Sequence, residues 1–136
     1  MTKPKIVKPE IRPAEGELVK HVKELGTRYV FFDDRILPEG DMYMIMRVVK
    51  DVAEEYEPAL PRRHSVDAFM VFIGLNDDLS GLRVKVRIGD EEVIEESPFA
   101  VYVPRGTEHS YSILGGSGIY QKIVLAPGGN YNAVTE

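Results

Sequence analysis

Seven short runs rich in Val, Ile, Tyr and Phe constrain this chain most: TRYVFFD, DMYMIMRVVK, DAFMVFIG, LRVKVRIG, FAVYVP, HSYSIL and GIYQKIVLA. Clusters of turn-forming residues separate them, including LPEGD, LNDDLSG, IGDEE, LGGSG and APGGN. β-branched and aromatic residues favour the pleated strand, and Gly, Asn, Asp and Pro break it. Repeated short strands at this spacing predict an all-β sandwich or barrel rather than alternating strands and helices. LGGSG reads as a hairpin turn between the last two strands; it lacks the lysine and following helix of a phosphate loop.

Side-chain alternation gives each strand two faces. In LRVKVRIG, Leu82, Val84, Val86 and Ile88 share one face and Arg83, Lys85 and Arg87 the other, so the second face is wet or meets acidic groups. DAFMVFIG is apolar on both faces, which predicts cover on both sides, by the core and by a second sheet or subunit. One helix is expected in ELVKHVKELG, where Leu18, Val22 and Leu25 recur at helical spacing and Gly26 stands at its end. Residues 1–14, with prolines at 4, 9 and 13, read as an extended arm preceding a single domain over 15–136.

The chain is 136 residues long with 43% hydrophobic and 29% charged residues, the size and composition of one globular domain. A formal charge of −5 opposes nonspecific nucleic-acid binding, which needs a basic face. The absence of cysteine excludes disulfides, thiolate catalysis and thiolate-bound metals. The stretch MTKPKIVKPEIRPAEGE has no apolar core of signal-peptide length, and no apolar run is long enough for a membrane helix; a cytoplasmic protein is expected.

At FAVYVPRGTEHSY the chain resembles the second motif of the cupin superfamily, in which a strand runs into Pro-x-Gly-x-x-His. Pro104, Gly106 and His109 match at that spacing; Pro98 and Ile113 stand where the family often has glycine and asparagine. The resemblance implies a double-stranded β-helix, the cupin jelly-roll barrel, with His109 pointing inward as a metal ligand. PRRHSVDAFMVFIG is similar to the first cupin motif, His-x-His followed by Glu and a strand ending in glycine. Aligned on Gly74, His64 takes the second histidine position, Arg62 the first and Ala68 that of the glutamate. The resemblance covers about residues 60–125 and implies a homodimer paired through N-terminal strands.

Parity then sorts the candidates: with His64 inward, Arg62 is inward too, while Arg63 and Asp67 face out unless a bulge turns Asp67 inward. Two functions stay open. In one, Arg62, His64, His109, Tyr111 and Gln121 line a cavity that binds a small anionic or carbonyl compound, the guanidinium supplying charge and a planar fork of donors. In the other, His64 and His109, completed by Asp67, Tyr111 or Gln121, hold one divalent Fe, Mn, Ni or Zn in an isomerase- or dioxygenase-type enzyme. Ser65 and Ser110 fall on the opposite face from their neighbouring histidines, against a serine nucleophile with a histidine base. His21 is expected on the surface without a role.

Overall fold

The computed structural model describes residues 3–22 and 24–136. Among these residues eight strands run in chain order: β1 Glu10–Ile11, β2 Thr27–Phe32, β3 Tyr43–Val52, β4 Ala68–Gly74, β5 Leu82–Ile88, β6 Glu91–Glu96, β7 Phe99–Val103 and β8 His109–Val124. All pairings are antiparallel. β8 organises the jelly roll. Its first half pairs with β5, and its second half lies between β3 and β4, so one strand joins both parts of the sheet. β1 and β2 extend the β3 side, β7 the β4 side, and β6 flanks β5.

The alternation in the sequence is realised inside this frame. Leu82, Val84 and Val86 are buried from β5, Ala68, Met70 and Phe72 from β4, and Tyr43 and Ile45 from β3. Phe72 anchors the centre, stacked on Phe99 with ring centroids 4.8 Å apart and tilted against Tyr120 at 5.0 Å. Burying such a side chain contributes about 1.5–3 kcal/mol. The opposite face of β5 meets acid as expected: Lys85 pairs with Glu55 at 3.3 Å and Arg87 with Glu92 at 3.2 Å.

Three expectations are corrected. No helix forms among the described residues of 17–26; Lys23 lies outside them. The chain makes one turn, with the Leu18 N–H donating to Ala14 O, and then other parts of the fold capture its backbone. The Val19 N–H donates to Asn132 Oδ1, the Val22 N–H to Pro58 O, and the Leu60 N–H to Lys20 O. Tertiary partners outweigh a helix too short to be stable alone.

LGGSG is not a hairpin turn but the middle of the 16-residue β8. Its glycines permit close approach instead: a Cβ on Gly116, at φ +98°, would stand 2.0 Å from Gly81 O, and one on Gly118 would stand 2.3 Å from Ile73 O. Third, IGDEE is only partly a turn. Ile88 pairs with Glu91, leaving Gly89 and Asp90 as the connection, and EEVIEE forms an exposed strand.

Candidate functional site

Two peptide bridges bring the predicted residues together. The Arg62 N–H donates to His109 O at 3.0 Å and the His109 N–H to Arg62 O at 2.8 Å, which locks the end of β8 opposite residues 62–64. The turn at PRGTEH closes on the same place, the Gly106 N–H donating to His64 O at 2.7 Å. Gly106 has φ +79°, a conformation that favours glycine.

Arg62 and His64 are each 2% exposed, His109 1% and Tyr111 4%. The His64 and His109 ring centroids are 4.9 Å apart. Both imidazoles present Nε2 as an acceptor. His109 Nδ1 donates to Thr107 O at 3.0 Å. His64 Nδ1 donates to Thr135 Oγ1 at 2.9 Å, whose own proton goes to Tyr131 O. Burial, then the charge of Lys122, drives both histidines far below the usual imidazole range, so they are neutral.

Gln121 does not join them; its amide donates to Met44 Sδ on the outer face, and Lys122 is the buried neighbour instead. The reason is a bulge. Val84 pairs with Ile113 but Arg83 with Gly115, so Leu114 is an extra residue and inward parity passes from odd to even numbers. Lys122, 2% exposed, puts Nζ 2.8 Å from His109 Nε2. Burial, and then the charge of Arg62, holds its amine well below the usual lysine range.

Asp67 is turned away. Its carboxylate accepts from the Arg105 N–H at 3.0 Å and from Arg105 Nε at 3.4 Å, pinning the PRGTEH turn from outside. The bulge that would bring it inward is absent, since Ala68 is buried at the head of a regular β4. Arg63 lies outside and pairs with Glu108 at 3.1 Å. His21 is not an idle surface residue: it lines the barrel cavity with its ring 5.6 Å from that of Tyr131, and burial, then Arg62, lowers its pKa to about 3.

Reasoning from sequence missed Lys122, Tyr131 and Thr135. Tyr131 Oη accepts from Arg62 Nε at 2.8 Å and fixes the guanidinium. An aromatic residue among the turn formers of PGGNYNA was the available signal for it.

The barrel treats its cations unequally. Arg28 pairs with Glu17 at 2.9 Å and Arg47 with Glu24 at 2.7 Å, both glutamates reaching in from the N-terminal segment. Among the described residues, Arg62 and Lys122 have no carboxylate partner within salt-bridge distance. Among the described residues, Arg62 Nη1, His64 Nε2 and Tyr120 Oη find no hydrogen-bond partner and are buried. Unpaired buried polar atoms are costly, and a charged one most of all.

A divalent metal does not fit this donor set. No group of three or more His, Asp or Glu residues converges among the described residues. The Nε2 of His109, where a metal would bind, already accepts from Lys122, and the Arg62 guanidinium repels a cation placed nearby.

No family profile and no curated protein matches the chain. Solved structures do. Oxalate decarboxylase from Bacillus subtilis aligns at TM-score 0.58 and 16% identity, over 98% of this chain and 33% of that one. The iron(II) form of HppE aligns at 0.54 and 13%, over 91% and 62%. An RmlC-like cupin from Shewanella frigidimarina aligns at 0.51 and 12%, over 88% and 94%. The chain thus spans about a third of the decarboxylase and under two-thirds of HppE. At these identities the likeness carries the fold alone.

Proposed function

From the premise of a cupin fold, we propose that this protein binds a small carboxylate inside the barrel, without a resident metal. The carrying observation is the buried Arg62 guanidinium, held by Tyr131 through Nε, with Nη1 unpaired and no carboxylate beside it. A carboxylate would satisfy that donor and neutralise the charge, a charge-assisted contact of the stronger kind. The ligand also needs a group that donates to His64 Nε2, because that nitrogen is an acceptor without a donor. A hydroxyl or a hydrated carbonyl next to the carboxylate meets this requirement.

The experiment is thermal unfolding of chelator-treated protein against short carboxylates, since a ligand that binds only the folded state raises the melting temperature. A rise with lactate or pyruvate that is lost in Arg62→Met supports the reading. The absence of any rise in wild type contradicts it.

We also propose that two copies associate through the outer face of β3, β8 and β4. Met44, Met46, Phe69, Val71 and Ile123 form an apolar surface there that one copy covers only in part.

A further inference from the structure

We propose that Lys122 is a nucleophilic amine that forms a reversible imine with the carbonyl carbon of a 2-oxo acid anchored by Arg62. This inference rests on the carboxylate reading above and adds the second functional group of the ligand. The geometry is that of a nucleophile, a base and an orienting group. Nζ lies 2.8 Å from His109 Nε2, and His109 is held with Nε2 as acceptor by the bond from Nδ1 to Thr107 O at 3.0 Å. Lys122 is fully buried among Arg62, Tyr111, Tyr120 and Tyr131 on one cavity, with no carboxylate to hold it as an ammonium ion. A lysine kept only for structure would point its amine to water, as long basic side chains ordinarily do.

The step balances. The Nζ lone pair attacks the carbonyl carbon, the carbonyl π pair moves to oxygen, and His109 Nε2 takes a proton from nitrogen and returns it to that oxygen. The carbinolamine then expels water: the C–O bond breaks, the nitrogen lone pair forms C=N, and the second Nζ proton leaves with the hydroxyl. Amine and carbonyl give imine and water, with no redox change. His64 Nε2 accepts from the carbinolamine hydroxyl, which gives that orphaned nitrogen a partner.

The cavity that reaches Lys122 holds about 10 Å³, roughly one water, so an oxo acid binds by displacing its cover. His21 and Pro58 line the cavity. The segments that carry them meet through the Val22 N–H to Pro58 O bond at 3.1 Å and the Leu60 N–H to Lys20 O bond at 2.8 Å.

The test treats the full chain, stripped by chelator, with pyruvate and cyanoborohydride, and maps reduced adducts on each lysine by peptide mass spectrometry. The inference expects the adduct concentrated on Lys122, suppressed by excess lactate, which carries the carboxylate but no carbonyl. Lys122→Met should lose that adduct while lactate still raises its melting temperature. Adducts spread over exposed lysines, with Lys122 unmodified and lactate and pyruvate equally stabilising, overturn the imine and leave carboxylate binding intact. No adduct at Lys122 and no stabilisation by either acid overturns both.

Discussion

Lys122 Nζ and His109 Nε2 stand 2.8 Å apart inside the barrel, so an amine occupies the direction in which the resemblance would place a metal. The contact joins residues from the two halves of β8, one paired with β5 and the other between β3 and β4. The bulge at Leu114 makes it possible, because without the extra residue Lys122 would face outward.

Lys122→Met is expected to flatten the pH dependence of stability in the range just below the pKa of an unfolded lysine, about 10.4. The folded-state pKa of Lys122 is lowered, by burial first and then by Arg62. Between the folded and unfolded pKa values the unfolded chain binds the extra proton, so this group makes wild-type stability rise with pH, by at most about 1.4 kcal/mol per pH unit. His109, His64 and Arg62 face the amine; both histidines are already neutral in this window in the folded state, and arginine does not titrate there. Urea unfolding of both proteins across the window measures the difference in slope, and equal slopes would contradict the burial of a neutral amine.

Arg62→Met should raise the stability of ligand-free protein by about 1–4 kcal/mol while abolishing its response to carboxylates. Replacing an unpaired buried charge with an apolar side chain of similar length removes a desolvation cost. Denaturant midpoints with and without lactate check both parts. A destabilised variant would mean that Arg62 is satisfied as it stands.

Gly116→Ala should cost about 3 kcal/mol or more. The added Cβ meets Gly81 O at 2.0 Å and the residue is held at φ +98°, so overpacking and backbone strain act together. Gly89→Ala, also at positive φ but with open space around it, should cost less. Chemical denaturation of the pair separates the two terms.

Val71→Asp should convert a dimer to a monomer in light-scattering measurements. Val71 lies on the half-buried outer face of β4, where a charge leaves the core untouched. A wild type that is monomeric at micromolar concentration would remove the proposed assembly.

The β architecture and half of the site were legible in the sequence because strand parity is a local property. It placed Arg62, His64 and Tyr111 in the interior, and Arg63 and Asp67 outside, where the structure has them. Parity fails where a strand bulges, and the bulge at Leu114 is set by the pairing of β5 with β8, which no local pattern encodes. Unbroken parity from His109 would turn Gln121 inward, and the bulge puts Lys122 there instead. Helical spacing in 17–26 misled for a related reason: Asn132 and Pro58, distant in sequence, capture that backbone. EEVIEE is not legible as a strand because its two apolar residues, Val93 and Ile94, are adjacent and fall on opposite faces, so neither face reads as apolar.

The most direct measurement is the metal content of untagged protein, purified without a histidine tag that would contribute ligands of its own. The account predicts iron, manganese, nickel and zinc all far below stoichiometric levels, unchanged in His64→Ala and His109→Ala. A near-stoichiometric metal that disappears in either variant would contradict it, and would mean that Lys122 gives way to a cation at His109.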